Sequence, residues 1–424
     1  MNQAKNIFFI AFLSIFFFLL ISVTSNKNEQ DFLDPAGDSK SYISLAKSLS
    51  EEGRFIRTEF LNDDAVETVR TPGYPTFLSL FSDYKNVIYI QNFLHIITSL
   101  LIYKLVKMRG NNKLAIFFLL LYLCNPLLIS LSQLLLTESL SIFLITSALF
   151  LFLEKEKIFF PLVLIATLPL IRPAFLIVVV GFIFFNKILF REISIKKRFV
   201  MVLILILPSL FWIQRNYELT NQIIFSSITG MNLLEDTASG VMAINEDIQN
   251  NEDLFEIIDI QYEEKRYWSQ ILRNEVDLGE TSRVISNAPG KNPHEVANAY
   301  QSYATKVIIN KPLELSILMV RALVYNTLEP GDQIYNHVLN LNNSRLLNFT
   351  IIGINFFVTI FTFMFIFQTI KLKKEIDIEI IFYILMLTPL LLLATPNGRF
   401  GAPLFGIAII LCSKYFNNLK VKEY

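Results

Sequence analysis

Residues 6–23 read NIFFIAFLSIFFFLLISV, a run without a charged side chain that follows Lys5. About 20 residues at helical rise cross a hydrocarbon core. The run is long for a secretory leader and many similar runs follow it, so it reads as a retained first membrane helix. Further spans are expected near 86–106, 114–132, 134–153, 158–171, 173–190, 199–213, 348–370, 377–395 and 401–416. That makes about ten in all, several short enough to need tilt or local bilayer thinning. The composition agrees with lipid as the solvent: 53% of residues are hydrophobic and 17% charged, against roughly 25% charged in ordinary soluble domains. The fold class expected is an all-α polytopic membrane protein with two extracytoplasmic loop regions.

Those regions are the polar stretches 24–85 and 215–312, both too long to be simple turns. After the second, residues 313–328 are apolar but carry Arg321 at their middle, the pattern of an amphipathic helix lying in the interface. The organisation expected is an N-terminal transmembrane catalytic module, 1–214, which includes the outer loop 24–85. An extracytoplasmic region with the interfacial helix, 215–347, and C-terminal transmembrane helices, 348–424, complete it.

Orientation follows from the short loops, because Lys and Arg collect on the cytoplasmic side. Lys104, Lys107, Arg109 and Lys113 form one basic group, and Lys187, Arg191, Lys196, Lys197 and Arg198 a second. Lys371, Lys373 and Lys374 form a third, and Lys414, Lys420 and Lys422 end the chain. Threading the helices alternately puts all four groups and both termini inside, and both long polar stretches outside. The location expected is a cell's inner (plasma) membrane, with the active site extracytoplasmic. A formal net charge of zero gives no nucleic-acid signal. Cys124 and Cys412 lie within apolar runs, where neither a disulfide framework nor a metal cluster is plausible.

In this threading the ionisable residues outside the cytoplasmic loops converge on the outer face. Asp34, Asp38 and Arg70 are in the first outer loop, and Glu138 opens the fourth span. Arg172 precedes Pro173 at an outer turn, Arg215 follows the seventh span, and Arg399 ends the turn Pro396-Asn397-Gly398-Arg399. Charges at membrane depth are costly and are paired or functional. Arg172 or Arg215 alone reads equally well as an interfacial anchor, but together the set describes a site. A carboxylate can accept the proton of an attacking hydroxyl while guanidinium groups hold a departing phosphate. That is the chemistry of glycosyl transfer from a sugar phosphate. A glycosidase would instead flank one bond with two carboxyl groups and needs no phosphate clamp. Nucleotide sugars are cytoplasmic, so an outer site implies a lipid-carried donor.

The strings Gly37-Asp38-Ser39-Lys40-Ser41-Tyr42, Leu45-Ala46 and Arg70-Thr71-Pro72-Gly73-Tyr74-Pro75 resemble the first outer loop of GT-C superfamily membrane glycosyltransferases. More narrowly, they are similar to the bacterial group related to protein mannosyltransferases and lipid A aminoarabinose transferases (glycosyltransferase family 39-type). Asn125-Pro126, Thr137-Glu138-Ser139-Leu140, Arg172-Pro173, Trp212-Ile213-Gln214-Arg215-Asn216 and Arg399-Phe400 with Pro403 follow in the matching order. Residues 217–312 have no counterpart. The resemblance implies Asp38 as general base, with Asp34 as the alternative. Arg70, Arg172 and Arg399 fall on the phosphate side, Glu138 orients substrate or an arginine, and Tyr42, Tyr74 and Arg215 are further substrate-side residues. It implies a polyprenyl-phosphate sugar donor, a lipid, glycan or protein hydroxyl as acceptor, inversion at the sugar, membrane lipids around the site and no nucleic-acid partner. No cofactor is expected, and a divalent metal is not indicated. The paired acidic signature of eukaryotic mannosyltransferases is missing, so their protein substrate does not carry over.

A surface-polysaccharide polymerase or ligase shares many of these features. A lipid-linked sugar flippase or transporter would place its charges near the bilayer midplane on broken helices. Among the remaining polar residues, His95 beside Gln91 and Asn92 reads as helix packing. His294 and His337 have no metal-ligand spacing, and Asp63-Asp64 reads as a solvated pair. Asn342-Asn343-Ser344 and Asn348-Phe349-Thr350 match a glycan-acceptor pattern that arises often by chance.

Overall fold

The structure is a computed structural model that describes residues 2–57, 66–108, 112–154, 158–189, 193–250, 262–276, 293–339, 345–372, 377–393 and 398–421. Asp63, Asp64, Arg109, Arg191, Asn342, Asn343, Ser344, Lys373, Lys374, Pro396, Asn397 and Lys422 lie outside the described residues. The described residues form helices joined by turns, with no strand among them. Each apolar run becomes a helix, and four are long and apolar enough to cross a bilayer: Tyr84–Lys107, Ile195–Thr220, Arg345–Lys371 and Arg399–Asn418. A fifth span is formed if Asn112–Leu123 and Pro126–Ser132, bent by 56°, are taken together. The chain is therefore a multi-pass membrane protein. The expected count of about ten is not reached on length among the described residues, because Ser14–Ser25, Glu138–Leu153, Phe159–Ile171, Pro173–Asn186 and Ile378–Leu391 are shorter apolar helices.

One shortening has a clear cause. The span expected to begin near residue 134 becomes helical only at Glu138, after an irregular segment at 133–137. That backbone is satisfied from elsewhere: Leu135 N–H donates to Phe32 O (2.9 Å) and Gln91 Nε2 donates to Leu134 O (2.7 Å). Non-helical backbone at depth is tolerated where protein supplies the missing partners. Gln91 belongs to a buried polar network in which Tyr74 Oη donates to Gln91 Oε1 (2.8 Å) and Gln133 Nε2 donates to Asn92 Oδ1 (2.7 Å). His95 Nε2 lies 3.0 Å from Leu123 O, a helix-packing contact.

The first polar stretch folds around two helices, Asp38–Glu52 and Gly73–Ser79, over a small core of Phe32, Tyr42, Ala46, Tyr74 and Leu78. Helix 73–79 also packs against helix Phe159–Ile171, an approach that Gly73 permits, since a Cβ there would stand 2.7 Å from Leu170 O. Helix Ile195–Thr220 runs past the expected end at 213, so Arg215 lies within it rather than after it. The second polar stretch is helical at Ile228–Asn232, Leu233–Ala238, Ser239–Gln249, Tyr262–Glu275 and Pro293–Ile309. Leu234, Leu272, Val296 and Tyr300 give it its own core.

Helix Pro312–Leu328 carries the apolar segment with Arg321 at its middle. It packs against helices 398–421, 378–393, 345–371 and 239–249, and Arg321 is buried. Gly401 explains the seat: a Cβ there would collide with Asn326 O. Helix Gly398–Val421 also packs on helices 84–107 and 138–153. It thereby carries its first turn, with Arg399, onto residues far earlier in the chain.

Candidate active site

Helix 38–52 starts at Asp38 after Gly37, whose φ of 86° is left-handed backbone that suits glycine. Asp34 holds this start together. Its Oδ1 accepts from Ser39 N–H and Ser39 Oγ, both at 2.7 Å, and its Oδ2 accepts from Ala36 N–H at 3.1 Å. The Asp34 carboxylate is thus engaged in capping, which favours Asp38 as the chemically available acid. Asp38 keeps 26% of its side chain exposed, whereas Asp34 and Glu138 are fully enclosed.

Asp38 accepts from Arg70 Nη2 at 2.6 Å and from Arg399 Nη2 at 3.0 Å. Glu138, in the first turn of its helix where a negative charge is favourable, accepts from Arg399 Nε at 2.5 Å and Arg172 Nη1 at 3.0 Å. Arg399 Nη1 also lies 3.7 Å from Asp34 Oδ2. Arg399 therefore bridges three carboxylates and is the hub of the cluster. Arg70 and Arg172 are held more loosely. Arg70 rests over the Tyr42 ring at 5.1 Å with its buried Nε making no hydrogen bond. Arg172 rests over Phe400 at 4.7 Å with 15% of its side chain exposed. Burial opposes ionisation of Asp38, but the Arg70 and Arg399 guanidinium groups outweigh it and hold its carboxyl well below the usual carboxylate range.

These groups border a cavity of about 1270 Å³. Asp38, Tyr42, Arg70, Arg172 and Arg399 form its charged floor, and Leu176, Ile177, Val180, Met386, Pro389 and Leu390 an apolar wall. Residues 228–237 and Lys265 form a third side. Among the described residues no group of three His, Cys, Asp or Glu side chains is spaced for a metal ion.

Four of the candidate residues do not line the cavity: Asp34 and Glu138, enclosed within the ion-pair cluster, and Tyr74 and Arg215. Tyr74 is wholly buried, edge-on to Tyr42 at 5.1 Å, with its hydroxyl on Gln91. Arg215 donates to Glu67 O (2.8 Å) and Asn216 Oδ1 (2.9 Å) and stacks on Trp212. It supports the loop that carries Arg70.

Glu67 is the residue that sequence reasoning missed. It is fully buried and paired with Arg57, and its Oε1 accepts from Val69 N–H (2.6 Å) and Arg70 N–H (2.9 Å). It fixes the backbone from which Arg70 reaches Asp38. Its position three residues before the Arg-Thr-Pro-Gly turn was the available signal, but its partner Arg57 lies ten residues upstream in a stretch without periodicity.

No protein-family model and no curated protein matches the chain. Among solved structures, the crystal structure of ArnT from Cupriavidus metallidurans bound to undecaprenyl phosphate superposes on 99% of this chain and 79% of that chain, with 13% identity and a TM-score of 0.38. Identity and superposition at this level leave function to be read from the residues themselves.

Proposed function

We propose that this chain is a GT-C-type glycosyltransferase that moves a sugar from a polyprenyl-phosphate carrier to a hydroxyl acceptor, with its site on the extracytoplasmic face of a plasma membrane. The observation that carries the reading is Asp38, a partly exposed carboxylate held by Arg70 and Arg399 at the edge of a large cavity with one apolar wall. The apolar wall suits a prenyl chain, the arginines suit its phosphate, and the carboxylate suits the incoming hydroxyl. Residues 1–214 supply Asp38, Arg70, Glu138 and Arg172, residues 348–424 supply Arg399, and residues 215–347 close the cavity.

In the reaction, Asp38 takes the proton of the acceptor hydroxyl as its oxygen attacks the anomeric carbon. The carbon–oxygen bond to phosphate breaks on the opposite face, and the phosphate leaves with the electron pair, so the sugar inverts. Arg70 and Arg172 receive that charge, because each rests on an aromatic ring and is pinned by a single hydrogen-bonded carboxylate. Arg399, bound to three carboxylates, keeps Asp38 and Glu138 in place. Asp38 is a weak base while both guanidinium groups hold it. A phosphate that draws Arg70 toward itself loosens that hold and raises the basicity of Asp38.

Arg70→Lys tests the clamp. An ammonium keeps the charge but not the planar fork, so transfer is expected to fall roughly 10- to 100-fold, equivalent to a charged hydrogen bond of about 1.5–3 kcal/mol. The loss should appear in kcat/KM for the donor in purified protein. A lysine variant with unchanged donor KM and kcat contradicts the assignment.

A further inference from the structure

One side of the cavity is built from the stretch for which the family resemblance offers no counterpart. Ile228, Thr229, Asn232, Leu233, Asp236 and Thr237 line it, in pairs four residues apart. Four residues overshoot an α-helical turn of 3.6, so such a stripe winds off one face of an ordinary helix. Here Ile228–Asn232 is α-helical and Leu233–Ala238 is a π-helix. The wider i→i+5 turn offsets the drift and keeps the pairs on the cavity, and π-turns concentrate at functional sites.

The stripe is also held firmly. Gly230 sits so close to helix 293–309 that a Cβ would collide with Ala297 O. Lys265 pairs with Asp236 at 2.5 Å, and Arg273 pairs with Glu235 at 2.7 Å. Ser226 Oγ donates to Val69 O at 2.6 Å, tying the start of the stripe to the loop of Arg70.

The chemistry of this side differs from the other two. It offers the hydroxyls of Thr229 and Thr237, a carboxamide and a carboxylate, with the Asp236 charge cancelled by Lys265, interleaved with Ile228 and Leu233. An anion would require an excess of cations, as beside Arg70 and Arg172, and a prenyl chain would require the apolar wall. A neutral ring bearing hydroxyls on one edge and C–H groups on its faces matches a surface of mixed donors, acceptors and small apolar patches. We infer that the 228–237 stripe is a specificity subsite for a neutral glycosyl unit, an inference that rests on the transferase reading above. That unit is either the transferred sugar or a sugar of the acceptor.

Asn232→Ala and the milder Thr229→Val, at an exposed position, test it in the full-length purified protein. Three quantities are read: Kd for prenyl phosphate without sugar, Kd for the prenyl-phosphate sugar, and KM for a neutral glycoside acceptor. Prenyl phosphate should bind within about twofold of wild type, while one sugar-dependent quantity worsens roughly 5- to 10-fold, the scale of a lost hydrogen bond. A loss in donor Kd identifies the transferred sugar, and a loss in acceptor KM identifies an acceptor glycan. Equal weakening of bare prenyl phosphate, or no change in any of the three, overturns the subsite. Wild-type turnover with unaffected variants sinks this inference alone. Wild-type protein that binds no prenyl phosphate sinks the transferase reading and the subsite with it.

Discussion

Asp38→Asn is expected to lower sugar transfer by roughly 10²–10⁴-fold, the range for a lost general base, while prenyl phosphate binds as well as before or more tightly. The second half follows from the geometry. The substitution removes the negative charge that engages Arg70 and Arg399, which leaves both guanidinium groups more available to an anion. Asp34→Asn should behave differently. Asp34 caps helix 38–52 through Ser39 and Ala36, so its loss should appear first as a lowered melting temperature. Single-turnover transfer and prenyl-phosphate Kd, measured on both variants, separate the two roles. Full activity in Asp38→Asn with loss in Asp34→Asn would move the base to Asp34.

Glu138→Ala should be strongly destabilising. Glu138 is fully enclosed and accepts from both Arg399 and Arg172, and removing one partner of a buried ion pair costs about 3–5 kcal/mol. Transfer should fall as well, because Arg399 loses the contact that frames it beside Asp38. Glu138→Gln keeps an acceptor of the same shape without the charge and should melt between the alanine variant and wild type. Thermal unfolding in detergent reads the order directly. An alanine variant that melts with wild type would mean that Glu138 is dispensable to the cluster.

The helical, lipid-facing character of the chain was legible because apolar runs set span length and need no knowledge of contacts. Span ends were less legible. The sequence divides two spans at residue 133, yet the second becomes helical only at Glu138, because Phe32 and Gln91 supply hydrogen bonds to the irregular backbone from distant segments. The tight seat of helix 312–328 was not legible either, because it depends on the close approach of Gly401 to Asn326.

The site was legible as a set but not as a network. Asp38, Arg70, Glu138, Arg172 and Arg399 do meet. Nothing local in the sequence says that Arg399 contacts Asp38 across 361 positions, or that Tyr74 and Arg215 turn away from the cavity. Glu67 and the 228–237 stripe escaped for the same reason. One acts through backbone N–H groups, and the other depends on a π-turn that the hydrophobic pattern does not encode.

The central claim is that a lipid-phosphate sugar, and not a nucleotide sugar, is the donor. Its most direct test offers the purified protein short-chain prenyl-phosphate sugars and the corresponding nucleotide sugars, each with a hydroxyl acceptor and with or without a chelator. Transfer from at least one prenyl-phosphate sugar, indifferent to chelator because guanidinium groups can stabilise the leaving phosphate, is the result expected. Turnover of nucleotide sugars with none of the lipid donors across the panel would contradict it.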